Sequence, residues 1–281
     1  MNMSVNKSVT IVILLISSLL KGQVLRDTVA YEYLKTIQIA PVGVPLDFPA
    51  YELGVKNGLE FSFDDMAYEW NNYAYKIFHC TKDWEKSDLL INQYLDGFDG
   101  NYLNDFAISV GTFVPYTHYA LRIPNTNARP RISGNYILEV YQNDDPTDLI
   151  IRRRFIVYED LVLPSVQVLR ATDLTNFSSE QMVNAKVALA GYPIQDYFQD
   201  LDLSILQNRR WDNALTRLKP TFINDGMLEY NFLGEYAFEG GVEFHSFDTK
   251  RLNQVGMGVK VSQLDTCWSV YLEEKKNRSI A

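Results

Sequence analysis

The stretch Gly134-Asn135-Tyr136-Ile137-Leu138-Glu139-Val140-Tyr141 decides the fold class of this chain. Successive side chains of a strand point to opposite faces of a sheet, so Tyr136, Leu138 and Val140 share one face. The following residues, Asn143-Asp144-Asp145-Pro146, have the composition of a turn, and Leu149 to Val157 supply a returning apolar strand. The pattern predicts a β-hairpin over residues 134–159.

Short alternating runs separated by turn residues lie on both sides of this hairpin. Residues 34–49 are extended and proline-rich, and the Gly-x-Tyr start of the hairpin is similar to the tyrosine corner of immunoglobulin-like sandwiches. We predict strands at 59–63, 73–80, 165–170, 183–189, 228–232 and 242–247, with a further candidate at 197–207. The sequence therefore predicts an all-β protein with immunoglobulin-like β-sandwich domains in tandem. The N-terminal sandwich is expected at 23–162 and a second β-rich domain at 163–281.

The composition excludes several classes of function. Of the 281 residues, 47% are hydrophobic and 22% are charged, which is the profile of a packed globular protein. The formal net charge is −9, and an acidic chain repels phosphate, so nucleic acid is not expected as a partner. Two Cys and three His are too few for a zinc ribbon or an iron–sulfur cluster.

The N-terminus is typical of a secretory signal peptide at residues 1–22. Lys7 supplies a positive charge, residues 9–20 form a mostly apolar run, and Gly22 is a small residue suited to cleavage. We expect no transmembrane segment in the mature chain, because no later run is long and apolar enough. In an oxidising compartment, Cys80 and Cys267 either pair or remain two separately buried thiols.

The sequence contains no recognisable catalytic motif. It lacks a nucleophile elbow, a His-Glu-x-x-His helix, a phosphate-binding glycine loop and a dinucleotide fingerprint. His79 and Cys80 are neighbours in a predicted strand, so they point to opposite faces and cannot form a dyad. We therefore predict no catalytic residues and a protein that is not an enzyme.

Three groups of residues that contain carboxylates are candidate metal ligands. Asp64-Asp65 and the turn Asn143-Asp144-Asp145 lack the spacing that presents several oxygens to one calcium ion. Glu243, His245 and Asp248 amount at best to part of a site. We predict no metal and no cofactor.

The long connection from Thr81 to Phe106 is rich in aromatic residues. It carries Trp84, Tyr94, Phe98 and Tyr102, with a short helix expected within 89–95. Long aromatic loops are commonly functional, and these rings either line the end of the sandwich or contact a partner. These four residues are the predicted partner interface.

Ordered motifs give most of the chain a resemblance to a known family. They are His79-Cys80-Thr81-Lys82-Asp83-Trp84, Ser87-Asp88-Leu89, Tyr94-Leu95-Asp96-Gly97-Phe98, Val114-Pro115-Tyr116-Thr117-His118-Tyr119, Ser133-Gly134-Asn135-Tyr136, Arg154-Phe155, Arg170-Ala171-Thr172-Asp173, Asp212-Asn213-Ala214, Leu218-Lys219-Pro220 and Gly241-Val242-Glu243-Phe244. From about Leu46 onward the chain resembles the type IX secretion system plug protein family, formerly a domain of unknown function.

The resemblance implies a location and a task. Members are periplasmic, lie peripheral to the outer membrane and dock on the mouth of a large outer-membrane β-barrel translocon, which they close while no cargo is engaged. Family members also continue beyond the residue at which this sequence stops, with a Gly-x-Phe-Asn-x-Trp motif and a Tyr-Asn-Tyr segment, so the chain is expected to be C-terminally short.

Two other functions are compatible with the sequence. A secreted carbohydrate-binding β-sandwich module would use exposed aromatic platforms, which the Trp and Tyr content allows. The other is a hydrolase whose catalytic carboxylates come from distant strands.

Overall fold

The structure of the protein is a computed structural model that describes residues 24–67, 71–98, 100–143, 145–171, 179–231, 237–241, 244, 247, 259–264 and 267–273. The chain divides into two compact units between Asp160 and Leu161. The predicted signal peptide at 1–22 lies outside the described residues.

The first unit contains twelve described strands and one short helix. They are β1 Thr28–Val29, β2 Leu34–Pro41, β3 Ala50–Glu52, β4 Leu59–Asp65, β5 Tyr73–Cys80, α1 Ile91–Tyr94, β6 Leu95–Gly97, β7 Asn101–Tyr102, β8 Asp105–Ile108, β9 Thr117–Ile123, β10 Ala128–Pro130, β11 Gly134–Gln142 and β12 Leu149–Tyr158.

These strands form two main sheets and a ribbon. One sheet has the order β1-β12-β11-β5-β7, and β3 pairs in parallel with β12. The other has the order β2-β4-β9-β8 and is antiparallel throughout. The short strands β6 and β10 form a separate antiparallel ribbon.

The two sheets of the first unit share one core. Phe63 of β4 lies 5.4 Å from Tyr73 of β5 between ring centroids, and Tyr73 lies 4.9 Å from Tyr119 of β9. All three rings are fully or almost fully buried. A pair of sheets closed over one core is a sandwich, so the all-β prediction is confirmed.

The hairpin predicted over 134–159 is confirmed as β11 and β12. Tyr136, Leu138 and Val140 are fully buried, as the alternation indicates. The intervening residues Ile137 and Glu139 are buried too, so both faces of β11 are covered. Alternation identified the strand and one buried face, and the structure shows that the second face is covered as well.

At the corner where the chain enters β11, the Tyr136 hydroxyl is hydrogen-bonded to the backbone. The Tyr136 hydroxyl donates to the carbonyl oxygen of Ile132, four residues upstream, at 2.8 Å, and the carbonyl oxygen of Tyr94 lies 3.2 Å away. A buried carbonyl needs such a donor, because leaving it unpaired costs free energy. The corner therefore fixes the chain as it enters β11.

We predict that Tyr136→Phe lowers the free energy of unfolding by about 1–2 kcal/mol, because the ring keeps its packing while a buried carbonyl loses its donor. Urea unfolding of the purified chain measures this change. Tyr51→Phe is the matched control, since Tyr51 is similarly buried but no hydrogen bond reaches its hydroxyl from any described residue. Equal effects of the two substitutions would show that the corner bond contributes nothing.

The second unit contains nine described strands. They are β13 Leu163–Arg170, β14 Glu180–Ala188, β15 Leu203–Ile205, β16 Leu215–Leu218, β17 Phe222–Asn224, β18 Met227–Tyr230, β19 Ala237–Glu239, β20 Val259–Leu264 and β21 Cys267–Leu272. A sheet of order β13-β14-β18-β17 has β19 as a further partner of β14, and β15-β16 and β20-β21 are two ribbons.

Most strands predicted in the second unit are confirmed, with two exceptions. Of the candidate strand at 197–207, only Leu203–Ile205 is a strand. The residues before it form a turn, in which Asp196 accepts hydrogen bonds from the N–H groups of Phe198 and Gln199. The strand predicted at 242–247 falls almost wholly outside the described residues; of it only Phe244 and Phe247 are described, and neither lies in a strand.

Candidate interaction surfaces

The structure places the four predicted interface residues in two different environments. Trp84 and Tyr94 are each only 6% exposed, whereas Phe98 is 69% and Tyr102 is 47% exposed. The Trp84 ring packs 5.3 Å from the Arg154 guanidinium. Buried rings offer a partner almost no surface, so of the four only Phe98 and Tyr102 stay in the predicted interface.

The connection that carries these residues is more ordered than a loop. It contains α1 within the predicted helix at 89–95, followed by β6 and β7. The Asn101 amide donates to the Phe98 carbonyl at 3.1 Å. Short strands form here because their backbone groups find partners on neighbouring segments, which local sequence patterns do not reveal.

A groove of about 680 Å³ lies in the first unit. Its walls come from residues 51 and 53–56, from Asp96 of β6, and from residues 124–126 and 129–131 around β10. We call this feature the basic groove, because Lys56, Arg129 and Arg131 line it against the single acid Asp96.

Asn125 builds one wall of the basic groove. Its side-chain oxygen accepts the N–H groups of Asn127 at 2.8 Å and Ala128 at 2.9 Å, and its amide donates to the Arg122 carbonyl at 2.8 Å. An Asn that hydrogen-bonds the backbone two and three residues on holds a turn rigid. The turn carries the chain directly into β10.

The ribbon β6–β10 forms the other wall and requires glycine at one position. Gly97 lies opposite Ala128 with φ +143°, and a Cβ added there would fall 1.9 Å from the Asn127 carbonyl oxygen. The same register places Asp96 opposite Arg129. Close approach of the two strands thus sets which charges face each other.

A second surface is the tip of the β8–β9 hairpin, residues 109–116, which we call the apolar tip. Val110 and Phe113 are almost completely exposed, and Val114 is more than half exposed. Sequence reasoning missed this feature; its signal is an apolar run interrupted by Gly111 in a segment that must turn. Apolar residues at the end of a hairpin are unusual unless something covers them.

The apolar tip is held by hydrogen bonds within itself. The Ser109 N–H donates to the Tyr116 carbonyl at 2.9 Å, and the Ser109 hydroxyl accepts the Tyr116 N–H at 2.9 Å. The Thr112 hydroxyl lies 2.9 Å from the Val114 carbonyl oxygen. These bonds keep the turn in one conformation while its apolar side chains face solvent.

The residues with potential chemistry are engaged in other contacts. Burial raises the pKa of the Cys80 thiol to about 12, which leaves it protonated and unreactive at neutral pH. Burial lowers the pKa of His79, whose Nδ1 lies 3.0 Å from the Ser87 hydroxyl. Cys80 is a free thiol, and the side chain of Cys267, its candidate partner, lies outside the described residues.

The acidic residues considered as metal ligands also contact other protein groups where the structure describes them. Asp64 contacts His118 Nδ1 at 2.7 Å, and Asp65 accepts three protein hydrogen bonds. Thr147 donates to Asp145 and lowers its pKa. The set at 243, 245 and 248 lies outside the described residues, and within those residues no group of three or more His, Cys, Asp and Glu could hold a metal ion.

Within the described part of the chain, none of the helices has the length and apolar character needed to cross a membrane.

Comparison with known proteins relates the first unit to a known family. Residues 34–159 match the family model described as Type 9 secretion system plug protein 1st domain. A crystal structure of a hypothetical protein from Parabacteroides merdae is similar over 88% of this chain, with 30% sequence identity and a TM-score of 0.78. The chain spans 62% of the length of that protein. No curated protein matches the chain. The match over residues 34–159 supports the resemblance to the type IX secretion system plug proteins that the sequence motifs indicate.

Proposed function

We propose that this chain is a non-enzymatic periplasmic plug or accessory protein, peripheral to the outer membrane, that closes the translocon of the type IX secretion system. The match of residues 34–159 to the plug protein first domain carries the proposal. Closing a pore needs a rigid body with a complementary surface and no bond-making chemistry. The partner is accordingly a large outer-membrane β-barrel.

The apolar tip is the surface best suited to docking on that partner. Interfaces derive most of their affinity from a few apolar or aromatic side chains that become fully desolvated. Phe113 and Val110 already stand clear of their own domain, so binding would bury both side chains. The hydrogen bonds of Ser109 and Thr112 keep the turn preorganised, which reduces the entropy lost on docking.

We expect the tagged chain to recover a large barrel protein from native outer membranes solubilised in mild detergent. With a photo-crosslinker in place of Phe113, we expect the chain to become crosslinked to the barrel protein. Phe113→Asp is expected to lower recovery about tenfold or more, because a desolvated carboxylate without a partner costs at least that much in affinity. Phe222→Asp, at an exposed phenylalanine of the second unit, is the control and should leave recovery unchanged.

The outcomes separate the function from the surface. Absence of any barrel from the wild-type eluate contradicts the proposed function. Recovery that is insensitive to Phe113→Asp contradicts only the assignment of the apolar tip, and crosslinkers at Phe98 and Tyr102 then test the remaining predicted interface residues.

A further inference from the structure

The basic groove differs in chemistry from the apolar tip. We propose that it binds an acidic segment of a protein chain, whose carboxylates pair with Lys56, Arg129 and Arg131 and whose apolar side chains rest on the groove wall. This inference stands on the first unit alone and does not depend on closure of a translocon.

The size and lining of the basic groove suit a ligand. Its volume of about 680 Å³ lies within the usual range of small-molecule and peptide sites, about 300–1,000 Å³. The wall combines apolar groups, including Leu53, Val55 and Pro124, with a few charged ones. That combination is the usual composition of a specific site.

The charge of the basic groove opposes that of the whole chain. Its lining carries three cations and one anion, whereas the chain as a whole has a formal net charge of −9. Opposite charges attract. Cations clustered in one concave surface therefore attract an anionic partner even on an acidic protein, and they raise its local concentration.

Two of these cations are available for a ligand. Within the described residues neither Lys56 nor Arg129 forms an ion pair, although Asp96 lies opposite Arg129 in the ribbon. Arg131 is anchored, since one terminal nitrogen donates to the Asn92 carbonyl at 3.1 Å. A guanidinium has five N–H donors, so the anchored Arg131 still has donors for a carboxylate.

The shape and the apolar wall favour a peptide over other anions. A free phosphate would make no use of Leu53 and Pro124, and a flat lipid surface cannot enter a concave groove. An extended peptide presents alternate side chains to opposite sides, so acidic residues can meet the cations while apolar ones rest on the wall. The rigid turn at Asn125 keeps the groove open before the peptide arrives.

The test is fluorescence anisotropy with the purified full chain and a labelled short peptide in which Glu alternates with Val and Phe. We expect saturable binding that weakens as salt is added, because exposed charges are screened. The peptide with Lys in place of Glu should not bind. The double variant Arg129→Glu/Arg131→Glu should weaken binding about tenfold or more, as loss of paired charges does in interfaces.

Lys35→Glu is the matched control for charge, because Lys35 is an exposed cation of β2 outside the basic groove, and it should leave affinity unchanged. Lys56→Glu supplies a milder groove variant should the double variant fail to fold. Phe113→Asp, which tests the apolar tip, should not change peptide binding.

Several results would overturn the inference. They are no binding of the Glu peptide, equal binding of the Lys peptide, or equal affinity of the wild-type and groove variants. Binding to vesicles of phosphatidylglycerol that depends on Arg129 and Arg131, without binding of the peptide, would assign the groove to lipid instead. Full competition by millimolar inorganic phosphate would likewise reduce the site to a simple anion site.

Discussion

Arg152→Met is expected to lower the free energy of unfolding of the first unit by about 3–5 kcal/mol, the cost of leaving one member of a buried ion pair without its partner. Glu139 is 7% exposed, and its Oε1 lies 2.7 Å from Arg152 Nε. The other carboxylate oxygen of Glu139 accepts the Tyr141 hydroxyl. Removal of Arg152 leaves a carboxylate inside the domain with only a neutral donor.

The double variant Glu139→Leu/Arg152→Met is the control for this prediction. It removes both charges together, so no uncompensated ion remains, and replacement of a buried ion pair by apolar groups is often neutral. We expect it to recover most of the stability lost in Arg152→Met. Urea unfolding gives the total change, and hydrogen exchange of the β11 amides reports on the first unit by itself. If the single and double variants are equally unstable, the loss comes from packing and not from charge.

Asp65→Ala is expected to cost about 4 kcal/mol, because it removes several bonds to one buried charged group at once. Asp65 is fully buried and accepts hydrogen bonds from the Tyr73 hydroxyl, the Asn71 amide and the Ala67 N–H, each at 2.8 Å. Its substitution leaves three donors without an acceptor and frees both ends of the connection between β4 and β5.

Tyr73→Phe separates the contributions to this network. It removes one donor to Asp65 and keeps the aromatic core with Phe63 and Tyr119, so a smaller loss of about 1–2 kcal/mol is expected. Thermal and urea unfolding of both variants provide the comparison. A loss below about 1 kcal/mol in Asp65→Ala would mean that water replaces the carboxylate and that the network is not needed for folding.

Stability of the first unit matters for both proposed surfaces. The apolar tip and the basic groove are each held on strands of that unit, β8–β9 for the tip and β6–β10 for one groove wall. Natural domains are stable by only about 5–15 kcal/mol, so the losses expected for Arg152→Met and Asp65→Ala would consume a large share of that margin. Surface variants such as Phe113→Asp and Lys56→Glu avoid this effect, because the residues that they change are exposed.

Local sequence was sufficient to predict the longer strands, such as β5 and β11, and the buried face of β11. Alternation of side chains is a local property, so Tyr136, Leu138 and Val140 were readable as one buried face without knowledge of what lies against it. The resemblance to the plug protein family was also accessible from the sequence, because ordered motifs such as Tyr94-Leu95-Asp96-Gly97-Phe98 lie within the matched residues 34–159.

Which surfaces remain open depends on contacts between residues that are far apart in the sequence. Trp84 and Phe98 belong to the same aromatic connection, yet one packs under the Arg154 guanidinium and the other faces solvent. The basic groove joins Lys56 to Arg129, residues far apart in the sequence that the packing of the strands brings together. Exposure and charge clustering depend on long-range packing, which alternation along one strand does not encode, and this is why the apolar tip and the basic groove were missed.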